Sequence, residues 1–333
     1  MMRLGILAGF DANWRDTLEK VKIAEDLGYE MISTGEAWGH SVLPWLTVIA
    51  ANTERIQIGT GILNTFSRSP AAIAQEFATL ETISDGRMVC GLGSSGNLVI
   101  EGFHGVEFDR PLRRIREYTE IIKMLLSGQR LQYEGEIYTL QRGFRLLGFE
   151  PVREDLPVWI AAITPRSIQQ TGEIADGIYP IHWPKRGFEP LKRQLAGASR
   201  DAARPEDSVT VAPFTNVYVT GEGDDEQVWR NARQPLFHYT NRMGSFYWQM
   251  LSRSGFESEI KDSRAAWADR DAEGALMAFS ESMVREIQVI GPIESVPEQL
   301  LARSDAGADL QMIPLPAGSP TEVGHRLEQY LGS

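Results

Sequence analysis

The sequence is short of several things, and each shortage removes a class of protein. It holds one cysteine, Cys90, in 333 residues. No intrachain disulfide can form, and a lone thiol inside the apolar run "RMVCGLG" reads as a core strand residue. Basic residues are outnumbered, with 33 Lys and Arg against 45 Asp and Glu, a net charge of −12. Nucleic acid or an anionic membrane calls for a basic face, so neither is expected as a partner. A small-molecule or peptide-like substrate is expected instead. The longest uncharged run, 37–53, contains His, Ser, Thr, Asn and Pro, and does not read as a membrane span. Asp11 interrupts the apolar start of the chain, so a cytoplasmic protein without a signal peptide is expected. No His, Cys, Asp and Glu spacing suits a metal, and no G-x-S-x-G elbow is present. Neither is there a linker rich in Pro, Gly or Ser.

What is present is alternation. Strand-like runs "RLGILAG", "YEMIST", "RIQIGTG", "RMVCGLG", "LPVWIAAI", "DGIYPIHW", "SVTVAPFTNVYVT" and "ADLQMIPLP" are separated by helix-like segments. Hydrophobic residues make up 42%, enough to bury a full core. Eight strands alternating with helices predict an α/β fold, a (β/α)8 TIM barrel over 1–333 as one domain. A doubly wound open sheet is the alternative. "RLQYEGEIYTL" predicts a hairpin insertion at about 130–140. The charged, helical stretch at about 222–281 predicts a helical insertion between strands seven and eight.

In a barrel, chemistry gathers at the C-terminal strand ends. Those ends are rich here in Gly, Ser, Thr, His and aromatics. "GLGSSG" fits G-x-G-x-x-G, but it follows the fourth strand, runs into "NLVIEGFHGVEF" and has Arg114 to Arg116 near the spot where an acid is needed, so a dinucleotide fingerprint is not expected. In "AITPRS", Thr164 suits a helix cap and Pro165 the first turn, which leaves N–H groups for an anion or simply starts a helix. Glu36 reads either as a ring-binding or proton-handling carboxylate or as a solvated loop acid. His40 and His182 stand where a catalytic acid or base belongs, and equally where a hydrogen-bonding wall residue would. Trp38, Phe66, Arg68, Phe103 and Trp183 are candidates to wall a substrate pocket.

Taken together, "TGEAWGH", "IGTGILNTFSRSPAAIAQEFATLETISDGRMVCGLGSSG", "VIEGFHGVEFDRPLRRIREYTEIIK" and "LPVWIAAITPRSIQQTGEIADGIYP" resemble the bacterial luciferase-like superfamily. The resemblance is to its branch that uses the deazaflavin coenzyme F420, near methylene-tetrahydromethanopterin reductase. It covers residues 1–220 and 290–331. It implies an oxidoreductase, often a homodimer, with the coenzyme across the barrel mouth. It also implies a cis Gly61–Ile62 peptide behind the ring and a phosphate held by Gly93, Ser94 and Ser95 with Ile163, Thr164, Pro165 and Arg166. Asn64, Ala162 and Ile181, on the same strand ends, join Glu36 in the expected coenzyme-binding set. Arg166 and Lys185 are the basic groups expected near the coenzyme's acidic tail. Two departures stand out: Glu36-Ala37 replaces an Asp-His pair, and Ser41 replaces an Asp of nearer relatives. The reaction implied is hydride transfer between the deazaflavin C5 and an activated C=C or C=N. An FMN-dependent monooxygenase and a non-catalytic flavin-binding barrel are the alternatives.

Overall fold

A computed structural model of the chain describes residues 2–332. Eight short strands carry the architecture: β1 Leu4–Leu7, β2 Met31–Thr34, β3 Gln57–Thr60, β4 Met88–Gly93, β5 Val158–Ile160, β6 Gly177–Ile178, β7 Thr210–Val211 and β8 Gln311–Pro314. Each is parallel to its neighbours, in the order β7-β6-β5-β4-β3-β2-β1-β8. Phe214 closes the ring, bridging Ile181 beyond β6 and Met312 on β8. Beside it, Met312 N–H donates to the Pro213 carbonyl at 2.9 Å and Thr215 N–H to the Met312 carbonyl at 2.8 Å. That closure makes the sheet a barrel and rules out the open sheet.

Period-two alternation sorts the side chains. Met31, Val89, Trp159, Tyr179, Ala212, Leu310 and Met312 fill the barrel interior. Their neighbours Ile32, Met88, Cys90, Val158 and Ile313 face the helices with Phe77, Tyr118 and Ile121. Cys90 is fully buried, which pushes its thiol far above its ordinary range, as a core residue requires. The helices start where the sequence provides caps. Ser69 Oγ accepts from Ala72 N–H ahead of Pro70–Ser84, and Thr164 with Ser167 makes a capping box on Pro165–Ile174.

The run read as a single seventh strand divides. Pro213 cannot donate to a ladder, and the chain leaves the barrel after Phe214. Val217–Thr220 then pairs in parallel with Val289–Pro292, a short strand masked in the sequence by the helical pattern before it. Between them lie five α-helices, from Asp225–Arg242 to Glu281–Ile287, and one π-helical turn at Ser252–Phe256. Leu236, Met250, Leu251, Phe279, Met283 and Val284 give this segment an apolar cluster of its own. Leu131–Glu134 and Thr139–Phe144 form an antiparallel hairpin. Among the described residues no helix is long and apolar enough to cross a membrane.

Candidate active site

The mouth is built around the end of β3. Thr60 Oγ1 donates to the Gly91 carbonyl and accepts from Gly91 N–H, both at 2.8 Å, clipping β3 to β4. The next peptide, Gly61–Ile62, is cis, as the resemblance implied. Gly61 N–H donates to the Thr34 carbonyl at 2.8 Å, and the Ile62 carbonyl accepts from Glu36 N–H at 3.1 Å. Leu63–Asn64 then rejoins β4 beside Leu92 and Gly93. The bulge is therefore pinned from both sides.

Glycine is required around it because neighbouring chain leaves no room for a Cβ. A Cβ on Gly35 would stand 2.7 Å from the Gly61 carbonyl oxygen, and one on Gly93 would stand 2.9 Å from Ile62 Cδ1. The Ile62 side chain lies half-buried on the interior stack, an apolar floor at the centre of the mouth.

Beside that floor lies a set of unengaged donors. The backbone N–H groups of Ser94, Ser95 and Gly96 after β4, and of Ala162 and Ile163 after β5, find no protein acceptor among the described residues. Ser95 adopts a left-handed φ of 56°, a conformation that turns successive N–H groups toward one spot. Pro165 opens the adjacent ten-residue helix, with Arg166 exposed on its first turn. An oxyanion fits such a cradle.

The wall on the β2 side is an ion-paired knot. Arg68 grips the Glu36 carboxylate with both terminal nitrogens, reaches Ser41 Oγ at 3.3 Å and lies 3.6 Å from Glu76. Glu36 Oε2 also accepts from Val42 N–H at 3.0 Å, and Tyr118 O–H donates to the Arg68 carbonyl at 2.6 Å. Burial works to raise the Glu36 pKa, but the Arg68 hydrogen bonds, the Val42 N–H and the guanidinium charge together lower it. Glu36 is thus neither a solvated loop acid nor a free proton carrier, because its oxygens are occupied. Glu36→Gln should cost roughly 2 kcal/mol, below the range for a fully buried pair because Arg68 is partly exposed. The contribution is full above about pH 4.5, the ordinary value, and drains away as the carboxylate protonates below it. Urea melts of both proteins at pH 7 and pH 3.5 would test this: a gap that does not shrink in acid contradicts the pairing.

The other candidates are dispersed. His40 is exposed, with its ring 5.1 Å from Phe10. Trp38 and Phe103 are exposed aromatics, at 55% and 60%. Phe66 is buried, stacked on Phe108 at 5.1 Å under the Arg114 guanidinium. Asn64 Oδ1 is spent on its own turn, accepting from the N–H groups of Phe66 and Ser67, and its Nδ2 lies 3.4 Å from His104 Nε2. Ile181 belongs to the ring through its bridge to Phe214, whereas His182 is buried with its ring 4.6 Å from Tyr239 of the helical segment. Burial, assisted by His238, depresses the His182 pKa to about 4, which leaves almost no imidazolium at neutral pH. Trp183 is half-buried with its indole N–H unpartnered. Glu36, His40 and His182 thus keep separate partners. Arg166 and Lys185 line different clefts, the first with Arg116 and Gln194, the second with Arg285 and Arg303. Sequence reasoning missed the Glu36–Arg68 pair and Tyr239, since contacts across 32 and 57 positions leave no local pattern. Among the described residues no group of acidic, His or Cys side chains could hold a metal.

Comparison with known proteins agrees with the barrel fold. The model of the family described as luciferase-like monooxygenase matches residues 2–310. A 5,10-methylenetetrahydromethanopterin reductase of Archaeoglobus fulgidus is 27% identical over 321 residues, covering 96% of this chain and 94% of its own. An F420-dependent glucose-6-phosphate dehydrogenase of Rhodococcus erythropolis is 29% identical over 309 residues, covering 88% and 85%. The structure of the coenzyme F420-dependent tetrahydromethanopterin reductase from Methanopyrus kandleri matches with a TM-score of 0.83 at 22% identity, over 99% of this chain and 98% of that one.

Proposed function

Because the chain belongs to the luciferase-like monooxygenase family, we propose that it is a coenzyme F420-dependent oxidoreductase acting on a small molecule. The observation that carries this reading is the apolar Ile62 floor set beside the unengaged N–H groups after β4 and β5. A flat ring with a phosphate on its side chain needs those two features next to each other. The names of relatives matched over most of both chains favour the deazaflavin over FMN.

When bound, the coenzyme supplies hydride transfer at C5, directed at an activated C=C or C=N. The chain supplies position and exclusion of water. Ile62 would offer the ring its apolar support. Ser94, Ser95, Gly96, Ala162 and Ile163 would hold the phosphate through their N–H groups. The Glu36–Arg68 knot fixes the β2 wall, and the exposed aromatics Trp38 and Phe103 would be free to meet a substrate. Of the three proton-handling candidates only His40 is exposed, and it would be the one free to hand over a proton at a ring nitrogen.

Fluorescence titration of the purified protein with each coenzyme tests the choice. F420 is expected to bind at about micromolar concentration and FMN far more weakly. Tight FMN binding with none of the deazaflavin would replace the reductase by a monooxygenase.

A further inference from the structure

The wall on the β2 side is held from outside the barrel. Arg68 reaches Glu36 with its guanidinium, but its main chain is fixed elsewhere: the Tyr118 hydroxyl donates to the Arg68 carbonyl at 2.6 Å. Tyr118 is 1% exposed, on the helix Pro111–Leu126. Its oxygen accepts from the Tyr138 hydroxyl at 3.2 Å, and the Tyr138 oxygen accepts from an Arg114 terminal nitrogen at 3.5 Å. Every donor in this relay points toward Arg68, and hydrogen bonds aligned in series strengthen one another. Arg114 also lies over the Phe66 ring at 4.6 Å. One turn of that helix therefore grips the loop beyond the cis peptide at two points, Phe66 and Arg68.

Tyr138 belongs to the hairpin of Leu131–Glu134 and Thr139–Phe144, which contributes no strand to the ring. The tip of that hairpin is docked on one buried carboxylate. Glu117, beside Tyr118 and 0% exposed, accepts from the N–H groups of Glu136, Ile137 and Tyr138 at 2.8, 3.1 and 2.9 Å. A Cβ on Gly135 would stand 2.5 Å from Glu117 Oε2, so glycine lets the tip seat this closely. A slip of one residue would leave the buried charge short of donors, which fixes the register. Apolar contacts of Tyr133 and Leu140 with the core would be enough to keep the hairpin on the barrel. The directed bonds add something else: they determine where the Tyr138 hydroxyl stands.

We propose that Tyr118 is a positioning residue for the active site: through the Arg68 main chain it sets the Glu36–Arg68 pair, and the hairpin tip sets Tyr118. The relay stands on its own residues, and its bearing on coenzyme binding rests on the oxidoreductase reading. The test therefore reads the pair and the coenzyme separately.

Tyr118→Phe deletes one hydroxyl and keeps the ring. Tyr133→Phe is the matched control, because its hydroxyl, on the same hairpin, donates to Glu120 at 2.5 Å and leads no further toward Arg68. Carbon-13 NMR of labelled glutamate side chains follows the titration of Glu36, with Glu36→Gln assigning the signal, and fluorescence titration reads F420 affinity. A merely structural hydroxyl would lower stability in urea and leave both readouts unmoved. Tyr118→Phe is expected to move the Glu36 titration upward, since a loosened Arg68 stabilises the carboxylate less, and to weaken F420 binding about three- to tenfold. Tyr138→Phe should act in the same direction and less strongly, and Tyr133→Phe on neither. A Glu36 titration unchanged in Tyr118→Phe, or moved equally in Tyr133→Phe, overturns the positioning of the pair. A moved titration with wild-type F420 affinity overturns its bearing on the active site. A moved titration in a protein that binds no F420 even as wild type leaves the relay standing while the oxidoreductase reading fails.

Discussion

Replacing Gly35 by valine should lower affinity for the flavin-type coenzyme about 10- to 100-fold, while Gly39→Ala leaves it unchanged. The two glycines lie four positions apart on the same exposed loop, so they form a matched pair. A Cβ at Gly35 meets the Gly61 carbonyl oxygen at 2.7 Å, whereas one at Gly39 meets nothing within 4 Å. The obstructing atom at Gly35 belongs to the backbone and cannot rotate away. The Gly61–Ile62 segment must shift, yet the Thr34 carbonyl and Glu36 N–H hold it on one side and β4 on the other. Overpacking of this kind costs about 1–3 kcal/mol, which corresponds to the stated loss if the ring is to rest on the displaced floor. Coenzyme fluorescence titration of both variants reads the result. Wild-type affinity in Gly35→Val would show that the ring rests elsewhere.

A second large effect is expected in acid. His182 has a folded-state pKa of about 4 against an ordinary 6.5. Folding therefore excludes a proton that the unfolded chain accepts. The sign follows: stability is full above about pH 6.5 and falls as the pH drops toward 4, by about 3 kcal/mol in total. His182→Asn is the informative variant, because the position has a left-handed φ of 53° that asparagine tolerates and asparagine does not titrate. Asparagine is smaller and leaves a gap against Tyr239, which lowers stability by a similar amount at every pH. The difference between variant and wild type should therefore narrow, or reverse, between pH 7 and pH 4.5 in urea melts. A constant difference would mean that His182 is solvated in the fold.

The strands were legible because parallel barrel strands are short apolar runs bounded by glycine and helix caps. "MISTG", "IQIGTG" and "MVCGLG" leave little other choice. The departure of the chain after Phe214 was not legible. "SVTVAPFTNVYVT" carries strand propensity on both sides of Pro213, and only three-dimensional closure on Met312 decides which half belongs to the ring. At the site, the glycines announced a close backbone approach, and the resemblance told where. The charge of Glu36 announced nothing about its partner. Arg68 lies 32 residues on, and a guanidinium there reads equally as a ligand for substrate. His182 stood at a strand end like a catalytic group, but burial against Tyr239, a residue of the distant helical segment, determines what it does.

The pairing of Val217–Thr220 with Val289–Pro292 is parallel, in register from Val217 opposite Val289 to Thr220 opposite Pro292. An antiparallel pair could be joined by two residues; a parallel pair cannot, because the chain must return to the starting end before the second strand begins. Residues 221–288 are that return path. In evolution or engineering, the segment therefore has a floor on its length of about a dozen residues, below which the second strand is lost. Its helices bury an apolar cluster that also takes in Ile163 and Trp183 from the strand ends, so the return path doubles as packing for the barrel mouth. Cutting the segment below that floor would therefore cost the barrel mouth its cover as well as the second strand.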